Sequence, residues 1–252
     1  MNDILPFLLP AETPDTAASY LLNQTGGGHF VVTLNFELLA RTLSTPAFAD
    51  LANLADHRIC DGIGGKLLLS LSHPQARIPR IPGIDLGYAL LQHASERGVS
   101  VFLLGGAEGV AQQAARNLTE QLPRLRIVGT YHGYFHKTDT PALRGMIRAS
   151  GAEIVIVCLG SPRQEEWILK NRRYLPSVRL FLPLGGSLDV WANNLPRAPK
   201  LLQNLGLEWV FRIVLEPRRL RRLWKAAAEL SVFLAKHPKF LSPKSEILFP
   251  IQ

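Results

Sequence analysis

The sequence predicts an α/β fold, with a Rossmann-like, largely parallel sheet flanked by helices and a basic amphipathic helical appendage at the C-terminal end. Two observations support this prediction. Short β-rich runs alternate with helix-compatible stretches, and such alternation forms βαβ units on a parallel sheet. From about residue 204 the sequence changes to helical pieces rich in arginine. We therefore expect an α/β core over residues 1–203 and a helical appendage over residues 204–252.

Five β-rich runs supply the expected strands, in the order HFVVTLN, VSVFLLGG, RLRIVGTYHGYF, EIVIVCLG and RLFLPLGGSLDVWA. Three of them precede clear helical stretches, namely FELLARTL, AEGVAQQAARNLTEQL and RQEEWILKNRRYL. The other two run into polar or glycine-rich turns. A chain of 252 residues, 47% of them hydrophobic, can bury a substantial core around such a sheet.

Polar residues and glycines cluster where the expected strands end. Because ligands of open parallel sheets bind outside the carboxyl ends of the strands, we predict that these clusters line one crevice. They comprise Thr33 and Asn35; Asp61; Gly105 and Gly106; the turn from Tyr131 to Phe135; Gly160 to Glu165, which includes Gln164; and Gly185 to Asp189.

Positive charge is concentrated in the appendage. Lys and Arg outnumber Asp and Glu by 28 to 20, and six of these cations fall between residues 212 and 225. This concentration indicates an anionic partner, which could be nucleic acid, a phosphorylated substrate or a lipid surface.

Pro217 divides the appendage into two helical pieces, and two interpretations fit the second piece. A Leu/Trp stripe opposite a basic face is typical of a helix in the membrane interface, but a surface helix packed on its own domain shows the same pattern. No secretory signal peptide and no apolar run of about 18 residues is visible, so we expect any membrane role to be peripheral. The stripe comprises Leu220, Leu223, Trp224, Ala227, Leu230 and Leu234.

Missing motifs disfavour several site classes. No HExxH, Cys/His zinc spacing or D-x-D pair is present, so we expect no metal, and His132 and His136 are interpreted as structural. The sequence also lacks a P-loop and a G-x-S-x-G elbow. Cys60 and Cys158 lie in apolar contexts typical of buried thiols in a reducing cytosol.

Two candidate site features have a functional and a plain interpretation. Asp61 lies among apolar residues and glycines, where burial would raise its pKa and suit it to general-base catalysis, although a simple turn aspartate is equally consistent. The turn at Gly105 and Gly106 precedes a helix and could bind phosphate through backbone N–H groups, or could be an ordinary strand-to-helix turn. Its spacing does not match G-x-G-x-x-G.

Eight stretches, taken in order, resemble the WecG/TagA/CpsF family of bacterial glycosyltransferases over about residues 30 to 225. They are VVTLNFELL, CDGIGG, RIPGIDL, VFLLGGAEGVAQQAARNL, IVGTYHGYF, EIVIVCLGSPRQEEWI, GGSLDVWANNLPRAPK and LGLEWVFRIVLEPRRLRR. The resemblance departs in the first thirty residues and at Asn-Asn-Leu-Pro before the R-A-P, where glycine and basic residues are usual.

The resemblance implies an inverting, metal-independent transferase that needs no cofactor. It would move N-acetylmannosamine, its uronic acid or glucose from a UDP-sugar to a polyprenyl-diphosphate-linked saccharide. The expected location is peripheral, on the cytoplasmic face of the plasma membrane, in contact with anionic lipid, and the resemblance also implies self-association into a homo-oligomer.

The resemblance also implies roles for individual residues. Asp61 matches the proposed general base, and Thr33 and Asn35 match pocket residues. Gln164 matches the glutamine of G-x-P-x-Q-E, beside Glu165, and we expect the remaining strand-end residues Gly105, Gly106, Tyr131, Gly160 and Asp189 to bind the donor nucleotide. The arginines expected to bind the acceptor or a diphosphate are Arg80, Arg212, Arg219 and Arg222.

Two other functions are open to the sequence. A nicotinamide-dependent oxidoreductase could use the Gly105–Gly106 turn, but the dinucleotide fingerprint is missing. A nucleic-acid-binding protein could use the cations from Arg218 to Lys225, and it would bind with strong salt dependence. That function would leave the strand-end clusters unexplained, so we do not expect nucleic acid as a partner.

Overall fold

The computed structural model describes residues 2–3, 8–237 and 248–249. Within them, six strands form one sheet and two further short strands form a separate pair, which confirms the predicted α/β class. The strands are β1 (Asn2–Asp3), β2 (His29–Leu34), β3 (His57–Cys60), β4 (Ser100–Gly105), β5 (Arg126–Tyr131), β6 (Ile154–Cys158), β7 (Leu180–Pro183) and β8 (Leu248–Phe249).

The large sheet has the order β3-β2-β7-β6-β4-β5, and every neighbouring pair in it is parallel. β1 and β8 pair with each other in antiparallel fashion. Since all six strands run the same way, their carboxyl ends meet at one edge of the sheet. This places the six predicted strand-end clusters on that edge.

Twelve α-helices and two short 3-10 helices, Lys137–Asp139 and Arg172–Tyr174, occur in the described residues. The α-helices are α1 (Pro14–Leu22), α2 (Phe36–Ser44), α3 (Pro46–Asn53), α4 (Gly62–Ser72), α5 (Gly83–Arg97), α6 (Val110–Gln121), α7 (Thr140–Ala149), α8 (Arg163–Asn171), α9 (Ser187–Trp191), α10 (Lys200–Asn204), α11 (Glu208–Leu215) and α12 (Arg218–Lys236).

Helices cover both faces of the sheet, and each face has its own apolar core. One core contains residues of α1, α5, α6 and α9, and the other contains residues of α2, α4, α7, α8 and α12. β4 and β6 are neighbours, yet β4 leads to α6 on the first face and β6 leads to α8 on the second. The chain therefore leaves these two strands toward opposite faces, and in parallel sheets ligands bind at the strand ends where this occurs.

The appendage is packed on the core through α12. This helix lies against α2, and Ala226 and Leu230 are buried in the second core. The predicted Leu/Trp stripe is divided, because Trp224 is 69% exposed whereas Leu230 is 8% exposed. The helix is thus both a domain-packing helix and a carrier of exposed apolar side chains.

The predicted boundary at residues 203 and 204 falls inside α10, and the division into two domains stays a prediction. Residues 238–247 and 250–252 of the predicted appendage lie outside the described residues. None of the helices in the described ranges has both the length and the apolar character that crossing a membrane requires.

Candidate active site

Asp61 lies at the carboxyl end of β3 and at the N-cap position of α4. Its backbone N–H donates to the Leu34 carbonyl at 3.0 Å, which ties the end of β3 to the end of β2. The Asp61 side chain makes no capping hydrogen bond to α4, and it accepts instead from the backbone N–H of Gly83. The carboxylate is thus turned toward α5 and is not used to cap its own helix.

The glycines of CDGIGG have separate structural reasons. Gly62 has φ +82°, a backbone conformation that side chains disfavour. A β-carbon on Gly65 would lie 2.7 Å from the Leu34 carbonyl oxygen, and one on Gly64 would lie 2.9 Å from Phe36 Cβ. Glycine therefore allows α4 to begin directly against the end of β2, which fixes the position of Asp61.

The pKa of Asp61 is raised to about 6, chiefly by burial and in part by the nearby carboxylate of Glu208. The Gly83 N–H and the cations Arg80 and Arg212 act in the opposite direction. A carboxylate with a pKa near 6 is ionised at neutral pH and is still basic enough to accept a proton. A raised pKa is what general-base catalysis would use, and the role of Asp61 as the base stays a prediction.

Thr33 and Asp61 meet at the first residue of α5. A β-carbon on Gly83 would lie 3.4 Å from Asp61 Oδ2 and 3.6 Å from Thr33 Cγ2. Asn35 has a structural role close by, because its Oδ1 accepts from the Leu38 N–H at 2.9 Å and caps α2. The carboxamide nitrogen is the part of Asn35 that can still serve a ligand.

The Gly105–Gly106 turn brings β4 and β6 together. Gly105 has φ +138°, and a β-carbon there would overlap the carbonyl of Cys158. The Gly106 N–H donates to that carbonyl at 3.3 Å, and the Gly106 carbonyl accepts from Gly133 at 2.7 Å. Glycine is required here for a close approach of three strand-end loops, beyond any role in phosphate binding.

Aromatic side chains line the loop after β5. The Tyr131 ring stacks on His132 at 4.7 Å and lies 6.1 Å from Phe135, centroid to centroid. From α8, the Arg163 guanidinium lies 5.2 Å from the centre of the Phe135 ring. The loops after β5 and β6 therefore share one wall, whose flat surfaces suit a nucleobase.

Gln164 connects the loops that follow β6 and β7. Its Oε1 accepts from the Gly185 N–H at 2.9 Å, and its Nε2 donates to Glu165 Oε1 at 2.8 Å. Both side chains are buried, and burial raises the pKa of Glu165, while hydrogen bonds from Gln164 and Ser161 oppose the rise. Both groups are placed to hold the two loops in register, and Gly160, with φ +75°, starts the turn.

Arg212 and Arg219 reach the sheet edge from α11 and α12. A β-carbon on Gly186 would lie 3.7 Å from Arg212 Nη1, 3.8 Å from Arg219 Nη2 and 3.9 Å from Asp189 Oδ2. Burial lowers the pKa of Arg212, and the charge of Arg219 lowers it further. Burial raises the pKa of Asp189, with a further contribution from Glu216. Two cations and a carboxylate thus meet at the loop after β7.

The other two predicted arginines lie in different surroundings. Arg80 donates from Nη2 to the Gln203 carbonyl at 3.1 Å and is close enough to Asp61 to lower the pKa of that carboxyl. Arg222 faces α2, with its Nε 4.0 Å from Glu37 Oε2. Arg80 and Arg212 thus both act on Asp61, and Arg222 has its nearest anionic partner on the core.

Sequence reasoning missed a bridge through Arg197. Its Nη2 lies 2.5 Å from Asp85 Oδ1 on α5, and its Nε lies 3.8 Å from Glu208 Oε1 on α11. The bridge joins α5 to α11. The first residue of α5 donates a hydrogen bond to Asp61, and α11 carries Arg212. An arginine within LPRAPK was the available signal, but the partners are distant in sequence.

Among the residues that the structure describes, no three or more His, Cys, Asp or Glu side chains are grouped so that they could hold a metal ion. Metal independence stays a prediction. Cys60 and Cys158 are both free and buried, and burial raises the pKa of each thiol to about 12.

The site therefore combines one weakly basic carboxylate, a cluster of cations, and a glycine-rich crevice beside aromatic side chains. Comparison with protein families gives one match, to the model described as the glycosyl transferase WecG/TagA/CpsF family, which covers residues 8–242. The match spans most of the chain and includes every residue of the site. The chain belongs to the WecG/TagA/CpsF family of glycosyltransferases, enzymes of cell-surface polysaccharide synthesis that act on sugar nucleotides and lipid-linked saccharides.

Proposed function

We propose that this protein is an inverting, metal-independent glycosyltransferase that uses a UDP-sugar and a polyprenyl-diphosphate-linked saccharide. The candidate sugars are N-acetylmannosamine, its uronic acid and glucose. One observation supports the proposal most strongly, namely that Arg212 lies close enough to Asp61 to lower the pKa of its carboxyl although 151 positions in the sequence separate them. A proton acceptor and a cation at one site are the two groups that direct sugar transfer requires.

In the proposed reaction, the carboxylate of Asp61 removes the proton of the acceptor hydroxyl. The hydroxyl oxygen attacks the anomeric carbon of the donor, and the bond between that carbon and the diphosphate oxygen breaks. UDP leaves with the electron pair of that bond, and Asp61 holds the proton. A single displacement from the opposite side inverts the configuration at the anomeric carbon.

Charge on the departing diphosphate is stabilised by the arginines that α11 and α12 contribute to the site. Arg212 and Arg219 lie side by side at Gly186, and guanidinium groups that are partly shielded from water bind phosphate oxygens more strongly than fully exposed ones do. Arg80 and Arg222 complete the cationic set in this proposal and contact the acceptor diphosphate. Their separate positions suit two phosphate groups and not one.

The donor nucleotide is assigned to the crevice between β4 and β6. Gly105, Gly106 and Gly160 have no side chains, so in this proposal the nucleotide approaches the backbone closely there, and Tyr131 offers an aromatic face to the base. Thr33, Asn35 and Asp189 border the sugar end of the crevice. Gln164 and Glu165 support it by holding the loops after β6 and β7 together.

The proposed location is the cytoplasmic face of the plasma membrane, where the protein is peripheral. The basic residues at the start of α12 would contact anionic headgroups, and Trp224 would contact the lipid interface. Self-association into a homo-oligomer is part of the same proposal and rests on the family alone.

A direct test is to measure UDP release from a panel of UDP-sugars with a synthetic lipid-diphosphate saccharide acceptor in the presence of EDTA. We expect acceptor-dependent release with one donor, and we expect Asp61→Asn to abolish that release while UDP-sugar binding is kept. Release that requires a divalent cation would refute metal independence. Binding of NAD without binding of UDP would instead support an oxidoreductase.

A further inference from the structure

Helix α4 exposes an apolar face next to the active site. Ile63, Leu67 and Leu71 are 39%, 60% and 50% exposed, and they recur every four residues on one side of the helix. Leu68 and Leu69 of the same helix are buried in the second core. α4 is therefore apolar on two sides, and only one of them is covered by its own domain.

The exposed face of α4 continues onto the appendage. Ile63 contacts the turn between α10 and α11, because a β-carbon on Gly206 would lie 3.0 Å from Ile63 Cβ. The helices on either side of that turn, and the start of α12, carry more exposed apolar side chains. These are Leu201, Leu205, Leu207, Trp209, Val210, Val214, Leu215, Leu220 and Trp224.

Most of the large apolar side chains that are exposed in the described residues therefore lie on two neighbouring stretches of the chain. Of the seventeen large hydrophobic side chains that are exposed in the described residues, twelve belong to α4 or to residues 201–224. Surface hydrophobic residues are ordinarily scattered, and a contiguous group marks a binding surface. We call this group the α4–α11 face.

Basic side chains accompany the α4–α11 face. Lys66 is on α4, Lys200 begins α10, and Arg218, Arg221 and Lys225 lie on the first two turns of α12. The three on α12 are exposed. Apolar and aromatic side chains with cations beside them match an anionic lipid leaflet, in which acyl chains lie beneath negative headgroups.

We propose that the α4–α11 face rests on an anionic phospholipid leaflet, so that core helix α4 is a membrane-contacting element together with the appendage. The consequence of this contact is that a lipid-linked acceptor is delivered to Asp61, and this consequence rests on the proposed function. Asp61 is the N-cap residue of α4. A helix that rests on the leaflet therefore carries the general base at the membrane surface, where the acceptor headgroup lies.

The contact of α4 with lipid can be measured by labelling Leu67→Cys with an environment-sensitive fluorophore. Cys60 and Cys158 are buried, so the introduced thiol is the one that reacts. With vesicles of phosphatidylcholine and phosphatidylglycerol we expect a blue shift and a gain in intensity. Leu54→Cys is the matched control, because Leu54 is 54% exposed but lies outside the face. An identical response at the two positions, or none at position 67, would overturn the proposal.

A functional test uses the double variant Leu67→Glu with Leu71→Glu, and Leu54→Glu as its control. Both side chains are half exposed or more, so the fold should tolerate the change. We expect vesicle flotation of the full-length protein to fall about tenfold or more, since two charges are brought to the acyl boundary. Transfer to a lipid-linked acceptor in vesicles should fall, and transfer to a soluble truncated acceptor should be kept.

The outcomes separate this proposal from the proposed function. Vesicle binding that depends on Leu67 and Leu71, without any sugar transfer by the wild type, would keep the lipid face and refute the proposed reaction. Sugar transfer by the wild type, together with unchanged flotation of the double variant, would support the proposed reaction and overturn the lipid proposal. Loss of a dimer in light scattering, with flotation unchanged, would assign the face to a second copy of the chain and overturn the lipid proposal.

Discussion

The sheet core and the helices from Lys200 onward use apolar residues in opposite ways. Strands β4, β6 and β7 are buried along their whole length, whereas α10 and α11 contain no buried residue and α12 contains two. The fold of the core is determined by apolar side chains that are buried on both faces of the sheet. The C-terminal helices are positioned by polar bridges and a small apolar contact, and most of their side chains remain available to ligands and surfaces.

We propose that the core supplies the proton acceptor and that the C-terminal helices supply cations. The largest loss of activity is therefore expected from a substitution in the core. Asp61→Asn keeps the size of the side chain and removes the base, so we expect kcat to fall about 1,000-fold. UDP-sugar binding, measured by calorimetry, should change little. Turnover near that of the wild type would break the assignment of proton transfer to the core.

The next effect tests the contribution of the C-terminal helices to the reaction. Arg212→Gln removes a half-buried cation beside Gly186 and Asp61, and we expect kcat to fall about 100-fold. Arg222→Gln is the matched change. Arg222 faces Glu37 and is assigned to the acceptor, so its loss should raise the KM for the acceptor and lower kcat several-fold at most. Steady-state kinetics on both variants checks this, and equal losses of kcat would show that both arginines serve the departing diphosphate.

A packing variant measures how firmly α12 belongs to the core. Leu230→Ala should lower the free energy of unfolding by about 2 kcal/mol, because the side chain is buried in the second core. Val232→Ala on the same helix should change it by less than about 0.5 kcal/mol, since Val232 is 55% exposed. Chemical denaturation of both variants gives the comparison, and equal effects would mean that the contact of α12 with α2 contributes little.

The pH profile tests the electrostatic coupling between the regions. Activity should fall about tenfold per pH unit below about pH 6, because protonated Asp61 cannot accept a proton. Arg197→Gln should shift this acidic limb to higher pH by about half a unit. The substitution removes a cation beside Glu208, so the negative charge near Asp61 is less compensated and the pKa of Asp61 rises. Arg77→Gln, at an exposed ion pair with Glu12, is the control and should leave the limb in place.

The last prediction concerns stability. The folded pKa of Asp61 lies above its ordinary value of 3.8, so the unfolded chain ionises first as the pH rises, and folding loses stability up to about pH 6. The stabilisation that Asp61→Asn gives should therefore be larger at pH 8 than at pH 4, by about 2 kcal/mol. Thermal unfolding at both pH values measures this, and a destabilised variant at the higher pH would mean that the carboxylate is well paired.

The sequence was sufficient to predict the sheet and the convergence of its strand ends, because alternation of strands and helices has few parallel solutions. Asp61, Gly105 and Gln164 could be located by their position after apolar runs. The rotation of α12 could not be predicted, since it depends on which surface the helix contacts. The Arg197 bridge was also beyond prediction, because Asp85 and Glu208 become neighbours only after the core and the C-terminal helices have packed.

The bridges that attach the C-terminal helices have a consequence for ionic strength. Arg197 reaches Asp85 and Glu208, Arg222 faces Glu37, and the Arg41 Nε lies 4.0 Å from Glu229 on α12. Dissolved ions screen such pairs far more than they weaken a sheet core. The protein therefore has one part that is insensitive to ionic strength and one part that responds to it, so we expect the salt concentration to determine how often the arginines of the proposed site are in place.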